Sequence, residues 1–374
     1  MPEKISFKPV KPHAIFFPSI DEFSEFMGWG ISARCKLSLF ESEVGKLPIS
    51  KRSMDNLGKG GISIKLARRT IWPIIRFLHK KKLLAQLPRF PGKMRTNDVI
   101  HFWKASLKGF EISSDTLDIQ ILYSFLKFRN QQYRPVRLFL DSAPPLSEEN
   151  QEVLLQKFYN IALPQTLMTP NEQLTVQILT QQLDRLRKGE HVEQYEYDCL
   201  IKWYHDFHLS LFAAIDLTIL SNVQTERNYE QGILTVIFKQ QGVTYFSKLL
   251  TYLNKTMKIS DYELAKYIPI DRDESKPLST SLLEAQKNTL REWRSGSTKP
   301  TNQTLMKFYR SFGEDYDYLP IFVVSIICLA LDRQINKQYA PGIISAFKTM
   351  FSAENYSHYF SYYKEKLPLM TASE

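Results

Sequence analysis

His205 and His208 stand three apart and share a helical face, with His191 and Cys199 upstream, and these are residue types that zinc uses. The intervening HDFH lacks the HExxH arrangement, and Trp203, Tyr204 and Phe207 around it predict aromatic packing with hydrogen-bonded histidines instead. Asp271, Asp273 and Glu274 fall together in DRDE, without the converging carboxylates from defined elements that a two-metal nuclease needs. GKGG at 58–61 is not a P-loop, no GxSxG elbow occurs, and Cys35, Cys199 and Cys328 lie far apart without a local reactive motif. The expectation is a chain with no catalytic residues, no metal site and no cofactor.

Charge is a stronger signal than any of these clusters. The 374 residues carry a formal net charge of +10. Residues 51–95 hold thirteen Lys or Arg against the single acid Asp55, a local +12, so the remainder is slightly acidic. Thirteen cations against one anion are costly to crowd without counterions or a partner. Lys59, Arg68, Arg69, Lys80, Lys81 and Lys82 are therefore candidates for contact with a nucleic-acid backbone, a contact whose strength falls steeply with salt. A solvated face and a membrane or acidic-protein surface are the other readings of the same run.

These residues need elements to hold them. A hydrophobic fraction of 43% and 13% aromatics, with only 14 glycines, describe a chain that folds, in two or three domains at this length. The pattern is mostly α: a multi-domain helical protein. A basic region spans 1–96, a helical middle domain 97–245, a third unit 246–312 and a helical segment 313–374. Helices are expected over 71–87, with Pro73 near a first turn or a kink, over 97–129, from a start at Ser147 with Glu148 and Glu149 in the opening turn through Tyr159, over 170–188 and over 195–220. DSAPPLSEEN at 141–150 is a linker, and GILTVIF at 232–238 allows a short strand before the next helix. The apolar run 321–331 is eleven residues, too short to span a bilayer, and is read as a buried core helix. With no signal-peptide pattern at the N-terminus, the expectation is a cytoplasmic protein without a membrane role.

The most informative stretch is 246–312. Phe246 to Leu253 reads as an apolar-stripe helix, and ISDYELAKYI as a short second one with Leu264, Ala265 and Ile268 inward. Ser260 and Glu263 have the spacing of a capping box. A third helix runs from Leu282 or Leu283 through Arg294 to a stop at Gly296, its Leu290 and Trp293 on one face and Arg291 and Arg294 off it. A fourth starts after Pro300 and Thr301 and carries Leu305, Phe308 and Tyr309 inward. A support helix, a short second helix and a third that can enter a major groove is the order of a helix-turn-helix domain. ISDYELAKYI followed by TLREWRSGSTKPTNQTLMKF resembles the phage-repressor (Cro/C1, or XRE-like) helix-turn-helix family in its Leu264–Ala265 pair and in Trp293, Arg294, Gly296 and Pro300.

The resemblance implies a base-facing role for Gln286, Lys287 and Asn288, with Arg291 on the same side, and a backbone role for Lys299, Thr301 and the helix start after Pro300. It departs from the family in two places. PIDRDESKPLSTSLLEA stands where the family has a turn of a few residues, and Arg294 occupies a position where an acid is common. The function implied is non-catalytic binding of double-stranded DNA, as a sequence-reading regulator or a component of a DNA-handling assembly, with a homodimer suited to paired half-sites. Two other classes remain open on the residues alone: a helical scaffold or adaptor for RNA or an acidic protein, and a metal-dependent nuclease without a local motif.

Overall fold

The structure is a computed structural model that describes residues 17–28, 44–50, 53, 63–80, 103, 107, 119–145, 147–181, 190–222, 231–270, 281–313, 319–337 and 341–371. Among these residues the protein is mostly helical and multi-domain, with fourteen α-helices and no sheet. In chain order they are α1 Ile20–Phe26, α2 Ile64–Lys80, α3 Gln120–Ser142, α4 Gln151–Ala162, α5 Pro170–Gln181, α6 Gln194–Asn222 and α7 Ile233–Phe238. There follow α8 Tyr245–Met257, α9 Asp261–Ala265, α10 Leu282–Ser295, α11 Asn302–Arg310, α12 Leu319–Lys337, α13 Pro341–Met350 and α14 Ala353–Thr371.

The 29-residue α6 is a central helix that packs against α3 and α5 before it in the chain and against α13 and α14 at the C-terminal end. It is buried nearly all round, as a helix surrounded by other helices must be. Two of its buried side chains are carboxylates, and each is fully occupied. Asp206 meets Arg129 of α3 at 2.6 Å and accepts from the Tyr359 hydroxyl of α14 at 3.1 Å. Asp216 accepts from the backbone N–H groups of Ile233 and Leu234 at 2.9 and 3.1 Å, and from the Tyr356 hydroxyl at 3.1 Å. It thereby satisfies two of the orphan donors at the start of α7. Gly232 lets the chain come this close, because a Cβ there would stand 2.2 Å from the Asp216 Oδ2.

Several expectations need correction. Residues 233–238 form a helix from their first residue rather than opening as a strand, since Asp216 caps them and Leu234, Ile237 and Phe238 enter the core. The helix expected from 71 begins at Ile64, so Pro73 lies within it rather than in its first turn. α3 continues through Pro135 to Ser142, well past the expected end near 129. α12 extends the apolar run in both directions, and its stretch Leu319–Asn336 is long and apolar enough to cross a membrane by length and composition. Residues 324–332 of that helix are buried against neighbouring helices, in agreement with a core helix. The helix expected from Ser147 begins at Gln151, with Asn150 as its cap residue. Residues 81–87, 97–102, 104–106, 108–118 and 182–189, expected as parts of helices, lie outside the described residues.

Candidate nucleic-acid interface

The four helices α8 to α11 pack around the side chains that the sequence pattern turned inward. Leu264, Ala265, Leu305, Phe308 and Tyr309 are inaccessible, and Leu290 and Trp293 nearly so. Trp293 is the hinge of this packing, edge-on to Phe246 of α8 at 5.9 Å and to Phe308 of α11 at 5.7 Å between ring centres. The caps fall where the residue types put them. At α9 the Ser260 N–H donates to Glu263 Oε2 at 2.8 Å while the Glu263 N–H donates to Ser260 Oγ at 3.2 Å. Those bonds hold the Glu263 carboxyl below the usual carboxylate range. Ser281 opens α10, and Gly296 closes it at φ 77°, a left-handed conformation.

The unit is seated on α12. The Asp332 carboxylate accepts from the N–H groups of Tyr245 and Phe246 at 2.7 and 3.0 Å and so caps α8. On α11, the Tyr309 hydroxyl meets Ser325 Oγ at 2.5 Å in the interior. Burial pushes the Asp332 carboxyl up, against the pull of the two backbone donors and Lys299.

The candidate reading residues divide. Gln286 is buried, and its amide nitrogen donates to the carbonyl oxygens of Lys266 and Ile268, each at 3.0 Å, so it closes the end of α9 and is turned away from solvent. Asn288 and Arg291 lie on the open face of α10, with Arg291 72% exposed, its guanidinium donating to Asn288 Oδ1 at 3.0 Å and lying 3.8 Å from Glu284. Lys287 lies beside them, its ammonium 4.8 Å from the centre of the Tyr262 ring. Lys266 reaches the same ring at 4.8 Å, so α9 and α10 together present two cations on one half-exposed aromatic ring. Thr301 caps α11, accepting from the Thr304 N–H at 3.1 Å. Lys299 is partly withdrawn from solvent, and burial lowers its pKa although Asp332 opposes this.

Arg294 stands where an acid was expected, and its partner lies elsewhere on the chain. It pairs with Asp261 at the start of α9 and donates to Thr251 Oγ1 at 3.1 Å. The ion pair joins α9 to α10 across the interval whose residues 271–280, including Asp271, Asp273 and Glu274, lie outside the described residues.

Within the basic segment, Arg68, Arg69 and Lys80 are exposed on α2, alongside Lys65 and Arg76. Trp72 is exposed on the same helix, with the Arg76 guanidinium 5.7 Å from its ring centre. No acid lies in the first turn of α2 to offset these cations. Lys59, Lys81 and Lys82 lie outside the described residues.

The histidines belong to the core. His208 stacks on Phe26 with ring centres 3.8 Å apart, and His205 lies edge-on to Phe347 at 5.3 Å. Among the described residues neither His208 ring nitrogen has a hydrogen-bond partner, unlike the hydrogen-bonded histidine expected there. Burial lowers the His205 pKa to about 3 and that of His208 well below its usual value, so both rings are held neutral. No group of three metal-ligating side chains occurs among the described residues.

Tyr262, Lys266, Asp261 and Asp332 were missed on the sequence. A cation–π pair across two helices and a cap supplied from 87 residues away have no local signature. Compared with models of known protein families, with curated proteins and with solved structures, the chain matches none of them.

Proposed function

We propose that α8 to α11 act as a helix-turn-helix unit that binds double-stranded DNA without catalysis, with α10 as the reading helix. One observation carries the proposal: α10 is anchored on one side by Gln286, Leu290 and Trp293 and offers Lys287, Asn288 and Arg291 on the other. A helix fixed by its buried face and polar on its free face suits insertion into a major groove. Asn288 pairs with an adenine edge and Arg291 with guanine, once Arg291 leaves Glu284. Lys266 and Lys287, stacked on Tyr262, take flanking phosphates, as do Lys299 and the α11 start at Thr301. The exposed cations of α2 add attraction to the backbone that carries no sequence information.

The test is binding of the full chain to duplexes selected from random sequence. Asn288→Ala and Arg291→Ala should each relax preference at one position, by about 1–3 kcal/mol of discrimination. A loss equal on every duplex would assign them to the backbone instead. Retention of RNA or an acidic protein in place of DNA would move the protein to the adaptor class, and cleavage dependent on a divalent ion would move it to the nucleases.

A further inference from the structure

α12 has two jobs on its surface. Ser325 and Asp332 hold α11 and the start of α8, as described above. Phe322, Val323, Ile326 and Ile327 line a cavity of about 330 Å³ whose opposite wall is Leu211, Phe212, Ile215 and Ile219 of α6. Trp103 and Thr218 also line it. The volume lies at the lower end of the range for small-molecule sites.

The chemistry of the lining selects the occupant. Its polar atoms are already committed: the Thr218 hydroxyl donates to the Ala214 carbonyl at 2.8 Å, and the Trp103 indole N–H donates to the Pro18 carbonyl at 2.9 Å. Among the described residues no charged side chain lines the space. A ligand entering there finds among these residues no partner for a charge or for a strong hydrogen-bonding group, so burying either would be penalised. Aromatic and branched aliphatic walls favour a small, neutral, ring-containing or branched hydrocarbon-like molecule.

We propose that the cavity between α6 and α12 is a binding site for a small neutral apolar molecule, and that its occupancy is transmitted through α12 to the DNA-binding unit. The transmission rests on the function proposed above; the binding site does not. The route is short. Val323 and Ile326, which wall the cavity, flank Ser325 on the same helix, and Asp332 follows within two turns. A ligand that prefers a shifted α12 must carry the seats of Tyr309 and of the Tyr245 and Phe246 amides with it, and packed helices respond to such a shift as a unit.

The experiment uses the full chain and N-phenyl-1-naphthylamine, a small neutral probe that fluoresces in apolar surroundings. Saturable one-site binding that raises the melting temperature, with displacement by naphthalene, is expected. Val323→Phe and Ile215→Phe fill the space from opposite walls, and each should weaken the probe by roughly tenfold or more while cooperative melting persists. No saturable binding, or probe affinity unchanged in both filled variants, would overturn the site. Displacement by naphthalene in the unaltered chain needs no variant to fold. In the second arm, DNA affinity is measured with and without saturating probe. A change of about threefold or more that vanishes in the filled variants upholds the transmission, and an unchanged affinity overturns it. A chain that binds the probe but no DNA upholds the cavity and overturns the DNA-binding proposal.

Discussion

The Lys287 ammonium lies 4.8 Å from the centre of the Tyr262 ring, so a side chain of α10 and one of α9 form a single surface. Tyr262 attracts two cations, Lys266 and Lys287, each 4.8 Å from its ring centre. On the proposed function that surface grips phosphate. Tyr262→Ala should therefore weaken DNA binding by about the same factor on preferred and random duplexes, on the order of 0.5–1 kcal/mol. A fluorescence anisotropy titration on both duplexes checks this.

Gln286 and Asn288 are two residues apart and are expected to fail in opposite ways. Gln286→Ala leaves the carbonyls of Lys266 and Ile268 without the amide that closes α9, and should cost about 1–3 kcal/mol of stability. Asn288→Ala removes an exposed side chain and should leave stability within about 0.5 kcal/mol while relaxing sequence preference. Chemical denaturation and binding selection on the same two proteins separate the effects.

Gly296→Ala should destabilise the protein by about 1 kcal/mol or more. The residue sits at φ 77°, and a Cβ there would come within 2.7 Å of Thr244 Cγ2, a side chain of the α8 cap. Thermal unfolding of the variant, with and without Thr244→Ser to relieve the contact, distinguishes the backbone cost from the clash. Partial recovery in the double variant is the expected result.

What the sequence made legible follows from how local each device is. Ser260 with Glu263, and Gly296 after Trp293, signal through spacing of a few residues, and both are found as expected. The inward set Leu264, Leu290, Trp293, Phe308 and Tyr309 was legible because helical periodicity records burial directly. Asp332 and Asp216 were not legible, since each satisfies helix-start amides brought near only by tertiary folding. Gln286 was misjudged because a polar residue on a basic helix reads as exposed, whereas the open carbonyls of α9 give its amide an inward partner. The β-branched residues of 233–238 suggested a strand, and a cap plus core packing overrode that preference.

Two buried groups should give opposing pH dependences. Burial pushes the Asp216 carboxyl up from 3.8 to about 7, so the folded state binds its proton more tightly than the unfolded state does. Its contribution to stability is fully present below pH 3.8 and is lost as pH rises through about 7. His205 is lowered from 6.5 to about 3, so its contribution is present above pH 6.5 and is lost as pH falls toward about 3. Asp216→Asn should steepen the loss of stability on acidification between about pH 7 and 4, and His205→Phe should flatten it. Denaturant midpoints measured across that range decide the signs.

His208→Phe should stabilise the protein by about 1–2 kcal/mol, because it removes two buried ring nitrogens without a partner among the described residues and retains the stack on Phe26. Calorimetry at neutral pH is the direct measurement.

The central claim, that α10 reads a DNA sequence, meets its most direct test in the full chain incubated with random-sequence duplex across a salt series, with retained fragments sequenced. The account predicts retention that weakens steeply with salt, enrichment of a short motif that is paired if two copies bind together, and loss of that enrichment in the Asn288→Ala, Arg291→Ala double variant. No retention at low salt, or the same enrichment in the double variant, would contradict it.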